Sequence, residues 1–150
     1  MKNLCQSGEY EKSILLANKL VTYFTHSYKL YRFKSTKIYI EKLHIWLAIS
    51  YLGLSKYDMF WEHINKVEQQ KDITYPWIAT YYILQKDVEQ MKHYKEKIQP
   101  SEETNNTIKL LNGVILCEEG KTKEGKEILN EVLPELKLAL IKQIVLDYTV

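Results

Sequence analysis

The sequence predicts an all-α protein built from antiparallel helical hairpins, and three observations carry that prediction. Thr107 to Pro134 reads as two amphipathic helices joined by a tight turn at Glu119-Gly120-Lys121, with Gly113 and Gly125 where the two helices would touch. The same design recurs at a nearly fixed period. Ala79 and Gly113 are 34 residues apart, as are Met91 and Gly125, Ile98 and Val132, and Pro100 and Pro134; Ala48 and Ala79, Tyr51 and Tyr82, Tyr57 and Val88, and Val67 and Ile98 are 31 apart. Self-similarity of that size indicates stacked units that bury their faces against neighbours. Finally, 5 Gly and 3 Pro in 150 residues are too few for a turn-rich β fold. The length suits one domain, residues 1–150, with a sizeable core.

In chain order, residues 1–25 form a partial hairpin. Met1 to Ser7 is at most a frayed half-turn, Gly8 a turn, and a helix runs to about Phe24 with Ile14, Leu15, Ala17, Leu20, Val21 and Phe24 as its apolar stripe. Thr25 to Lys37 is the least regular stretch, with Lys29, Arg32, Lys34 and Lys37 interleaved with Tyr28, Tyr31 and Phe33. The next hairpin covers 35–69: a helix to Leu52, a turn at Gly53-Leu54-Ser55-Lys56, and a helix from Tyr57 to Gln69. Lys71 to Thr74 breaks the pattern. The third hairpin, 74–98, places Pro76 in a first turn and Asp87 as a cap. Pro100 ends it, Ser101-Glu102-Glu103 opens the hairpin 104–132, and Pro134 starts a terminal helix, 134–148.

The first helices share a spacing: His44-x2-Leu47-Ala48-x2-Tyr51, Tyr75-x2-Ile78-Ala79-x2-Tyr82 and Lys109-x2-Asn112-Gly113-x2-Leu116. The second helices read Ser13-x3-Ala17, Phe60-x3-Ile64, Met91-x3-Lys95 and Gly125-x3-Leu129. The pattern resembles the tetratricopeptide (TPR) repeat, in degenerate form. The resemblance implies a short right-handed superhelix of stacked hairpins, splayed where Phe60 and Met91 replace the usual Ala. It also implies a concave groove lined by the first helices: Lys42, Ile45, Ile49 and Leu52, then Ile73, Thr80 and Ile83, then Leu110, Val114 and Cys117. Ile49, Thr80 and Val114 stand where chaperone-tail clamps of that family carry polar groups, so this groove suits an apolar segment or an amphipathic helix.

Composition narrows the function classes. No apolar run reaches membrane-spanning length and no secretory signal opens the chain, so a cytoplasmic location and no membrane partner are expected. Cys5 and Cys117 form no paired motif and read as reduced thiols. Charge drifts from basic, with eight Lys/Arg against three acids in residues 1–50, to acidic, with six against nine in residues 101–150. His26, His44, His63 and His93 make no His-Glu-x-x-His pair, and His44 with Cys117 would give only two ligands, so no metal is expected. Glu124, Glu127 and Glu131 read as a solvated face. No phosphate loop, nucleophile elbow or catalytic triad spacing occurs, so neither enzymatic activity nor a cofactor is expected. Trp46 and Trp61 at helical spacing read as core.

The function expected is a non-enzymatic protein- or peptide-binding adaptor. The alternative is a signal-peptide-sensing repeat domain similar to that of Gram-positive transcriptional regulators; no helix-turn-helix fits before Gly8, so a DNA-binding part is not expected. The basic-aromatic stretch 25–37 matches single-strand readers only locally, and nucleic acid is disfavoured as a partner. The terminal helix, with Leu138-Ala139-Leu140-Ile141, Ile144, Val145 and Leu146, is apolar on more than one side. A homodimer through that helix is the first expectation for its cover; the alternative is that it folds back into its own groove or that the chain is part of a larger assembly.

Overall fold

In the computed structural model, which describes residues 1–150, the chain forms nine α-helices and one 3-10 turn, with no strand. Residues 1–150, expected as one domain, divide into two compact units, Met1–Thr74 and Tyr75–Val150.

The first unit begins with α1 (Lys2–Ser7), a true helix where only a half-turn was expected. Gly8 closes it at φ 80°, a left-handed geometry that a side chain would disfavour. α2 (Tyr10–Tyr31) runs well past Phe24, and only Arg32 and Phe33 separate it from α3 (Lys34–Gly53). The stretch 25–37 is therefore helical apart from a two-residue link. It lacks Gly and Pro, and tertiary contact supports it: Phe24 packs edge-on against Tyr39 at 4.8 Å. The two helices are antiparallel, since Ser13 near the start of α2 meets Ser50 near the end of α3. A seam of small residues lets them approach. Cys5, Ser13, Ala17 and Ser50 are fully buried, and Ser50 Oγ donates to Trp46 O at 2.9 Å. The Cys5 thiol lies 3.3 Å from both serine hydroxyls, so no buried polar atom of the seam lacks a partner.

Gly53 serves packing rather than the turn. The positive φ falls on Ser55 (57°), while a Cβ at Gly53 would stand 2.4 Å from the Tyr10 ring. α4 (Tyr57–Ile64) stops five residues short of the expected Gln69, and α5 (Lys71–Gln85) takes in the stretch Lys71 to Thr74 that was expected to break the pattern. Glu41 explains both corrections. Its buried carboxylate accepts the amide N–H groups of Gln69 (3.0 Å) and Gln70 (3.2 Å), fixing a break there and capping the start of α5. Pro76 consequently lies inside the helix and not in its first turn.

α5 crosses the boundary into the second unit, where α6 (Val88–Lys97) follows. Asp87 caps α6 as expected, its Oδ1 accepting from Gln90 N at 3.1 Å. Met91, at a position the repeat usually gives to Ala, is fully buried, and Tyr82 and Tyr94 stack at 5.6 Å between α5 and α6. α7 (Asn105–Glu118) and α8 (Thr122–Val132) form the anticipated hairpin around Gly120, whose φ is 90°. The turn that leads into α7 carries a capping-box geometry built without Glu or Gln: Ser101 N donates to Thr104 Oγ1 and Thr104 N to Ser101 Oγ. Pro134 opens only a 3-10 turn (Leu133–Glu135). The last helix, α9 (Ala139–Thr149), starts five residues later than expected, because Leu136 and Leu138 are extended. The small first-helix positions Ala48, Ala79 and Gly113 are all buried. Trp46, Trp61 and Trp77 are half-buried.

Candidate functional site: an apolar face under the terminal helix

Of the residues expected to line a groove, most are core. In the first unit Ile45, Ile49 and Leu52 are buried and Lys42 is exposed. In the second unit Thr80 is buried, with its hydroxyl donating to Pro76 O at 2.8 Å. Ile73, in the first unit, is exposed. Ile83, Leu110 and Val114 come together in one apolar cluster, and α9 lies on it through Ile141, Ile144 and Val145. These positions therefore pack against the protein's own last helix and do not line an open channel. The i, i+3, i+4 spacing of the three α9 anchors puts them on one face, which is how an amphipathic helix fills a hydrophobic groove.

Cover by α9 is incomplete. Beside it remains a cavity of about 420 Å³, lined by Ile83, Leu84 and Ile144 on its apolar side and by Lys86, Lys126, Glu118, Asp147 and Tyr148 on its polar side, with Cys117 and Thr122. That volume falls within the range of small-ligand sites, about 300–1,000 Å³. Gly125 makes room for the thiol, since a Cβ there would stand 2.4 Å from Cys117 Sγ. The two carboxylates are engaged: Tyr148 Oη donates to Glu118 Oε1 at 2.5 Å and Gln143 Nε2 to Asp147 Oδ1 at 2.7 Å. Lys86 and Lys126 take part in no ion pair. The cavity thus carries two unpaired ammonium groups and two carboxylates whose bonds go to neutral donors.

Two titratable groups of the cavity are shifted toward their neutral forms. Burial pushes the Cys117 thiol up against the opposing pull of Lys126, so the thiol stays protonated at neutral pH and is a poor nucleophile. Burial, reinforced by the bond to Glu118, holds the Tyr148 phenol above its ordinary range, so it donates and does not act as a base.

A second polar group lies in the first unit. His44 and His63, both buried, face each other with Nδ1 atoms 3.0 Å apart and rings stacked at 5.2 Å, and Tyr51 stacks on His63 at 5.5 Å. One ring donates and the other accepts, so the pair is satisfied when both are neutral. Burial lowers both, with His44 and Lys66 adding to the effect on His63, which is pushed down to about 4. Motif spacing missed this pair. Hairpin register signals it, because His44 and His63 are equidistant in sequence from the Gly53-Leu54 turn. No group of three or more His, Cys, Asp or Glu side chains is placed to hold a metal ion. His44 pairs with His63 and Cys117 packs on Gly125, each in its own unit.

No family model matches this chain, and no match is found among curated proteins or solved structures.

Proposed function

We propose that the chain is a non-enzymatic, TPR-like binding module whose second unit takes an amphipathic helix of a protein or peptide partner on the face formed by Ile83, Leu110 and Val114. The observation that carries this reading is the occupancy of that face by α9, a short terminal helix anchored by Ile141, Ile144 and Val145 beside an open cavity. A partner helix with the same anchor spacing would compete for it. The test uses a synthetic peptide of residues 137–150, labelled for fluorescence anisotropy. The full chain carrying Ile144→Glu and Val145→Glu, which loosen α9, should bind that peptide at least tenfold more tightly than the unmodified chain. Equal, weak binding by both chains would refute the reading.

A second reading, a domain that senses a short signal peptide, is favoured by the cavity itself. Its apolar side and the unpaired Lys86 and Lys126 suit a small apolar peptide ending in a carboxylate. Short apolar peptides should then raise the melting temperature of the unmodified chain, and Lys126→Glu should remove that effect without α9 being displaced.

A further inference from the structure

The α2–α3 hairpin divides sharply along its length. Its base is packed: Tyr10, Ser13 and Ala17 on α2 and most of Glu41–Leu52 on α3 are buried. Between Asn18 and Ile40, no residue is buried. The distal part is therefore a two-helix arm, held together by contacts such as Phe24 on Tyr39. Its tip is built by Arg32, left-handed at φ 58°, and the extended Phe33.

Two properties set this arm apart. No Asp or Glu occurs between Glu11 and Glu41, while Lys29, Arg32, Lys34 and Lys37 cluster at the tip. Lys29, Arg32 and Lys34 form no ion pair. At the same tip Leu30, Tyr31 and Phe33 are 62%, 64% and 60% exposed. Contiguous exposed apolar side chains ringed by charge mark an interaction surface.

We propose that this tip docks on an anionic lipid surface. Leu30, Tyr31 and Phe33 enter the headgroup boundary while Lys29, Arg32 and Lys34 meet the anionic headgroups, the combination of apolar insertion and basic attraction that interfacial segments use. The absence of carboxylates on the arm removes the repulsion such a surface would impose. Single-stranded nucleic acid shares the charge complementarity but not the shape. Stacking readers offer free ring faces along a basic groove. Here Tyr31 and Phe33 stack on each other at 6.0 Å and 13°, and the third apolar residue, Leu30, is aliphatic. No helix of the chain is long and apolar enough to cross a membrane, so the contact is peripheral. The proposal concerns the first unit and does not depend on the partner face assigned to the second.

Co-sedimentation of the full chain with vesicles tests it. Vesicles of phosphatidylcholine containing about 30% phosphatidylserine should bind the chain, pure phosphatidylcholine vesicles should not, and raising salt from about 0.1 to about 0.5 M should release it. Leu30→Ser with Phe33→Ser should weaken binding at least tenfold with helicity unchanged, because both side chains are exposed. Lys29→Glu with Lys34→Glu should do the same through charge. Failure to bind anionic vesicles overturns the proposal, as does binding that ignores the Leu30 and Phe33 changes. Tight binding of a single-stranded oligonucleotide lost in the same variants, or a concentration-dependent dimer lost in them, would replace it with a nucleic-acid or self-association surface.

Discussion

The carbonyl oxygen of Gly113 lies 2.6 Å from the point that a Cβ on Gly125 would occupy. α7 and α8 thus meet backbone to backbone, and the contact leaves no room for a methyl group. The same added Cβ would also meet Cys117 N at 2.9 Å and Cys117 Sγ at 2.4 Å. Backbone atoms cannot rotate away, so the hairpin itself would have to open.

Three glycine substitutions should therefore rank by what they displace. Gly125→Ala should destabilise by about 1–3 kcal/mol through overpacking. Gly53→Ala should cost less, because the obstacle is the far end of the Tyr10 side chain. Gly120→Ala meets nothing within 4 Å and should cost only the left-handed conformation at φ 90°, about 1–2 kcal/mol. Urea denaturation of the three variants measures the order; a Gly53→Ala cost above that of Gly125→Ala would show the Tyr10 ring to be the more rigid neighbour.

The contrast between what the sequence discloses and what it hides has a physical basis in these residues. Gly113, Gly125 and the turn at Gly120 were legible because helix contact and turn geometry are local demands on single positions. Ser13-x3-Ala17 was legible for the same reason, and the structure adds that its partner is Ser50. The break at Gln69-Gln70 was not legible, since it depends on the Glu41 carboxylate 28 and 29 residues earlier in the chain. The continuation of α2 to Tyr31 was hidden because basic and aromatic residues mask the 3.6-residue stripe. Ile83, Leu110 and Val114, apolar positions expected to line a groove, share one buried cluster in the second unit. Periodicity does not tell whether such a face is open or already occupied, and here α9 occupies it.

Glu41→Ala should cost about 1.5–3 kcal/mol, the range for hydrogen bonds to a charged group. The loss should be focused, because the carboxylate holds two specific amides. Hydrogen exchange at Gln69 and Gln70 should accelerate well beyond the change in global stability. Uniform acceleration across α3 and α5 would show that Glu41 contributes only general packing.

The His44–His63 pair makes stability depend on pH. Both groups are lowered in the folded state, His63 to about 4, so the unfolded chain binds more protons between its ordinary value near 6.5 and that figure. The contribution is complete above pH 6.5 and is lost as pH falls toward 4. Glu41 and Glu62 favour a charged His44, while Lys66 opposes it, so the slope is the balance of these groups. Replacing His63 by Gln should flatten the denaturation midpoint over that window once compared with the parent chain. An unchanged pH profile would mean that neither ring titrates differently on folding.

Thiol labelling follows the position of α9. Cys5 is fully enclosed and bonded to Ser13 and Ser50, so it should react with iodoacetamide only after unfolding. Cys117 lines the cavity beside α9 and is partly accessible, but burial keeps its thiol protonated, so it should react more slowly than an unstructured cysteine peptide at pH 7.5, close to one unit below the usual thiol range of about 8.5. Ile144 and Tyr148 of α9 form one wall of that cavity. Displacing the helix should admit water, lower the thiol's pKa and increase Cys117 labelling severalfold, with Cys5 still protected. Ile144→Glu provides the displaced state, and added partner peptide should reverse the increase by refilling the face. If Cys117 reacts at the same rate with α9 anchored, loosened and replaced, the last helix does not control access to this site.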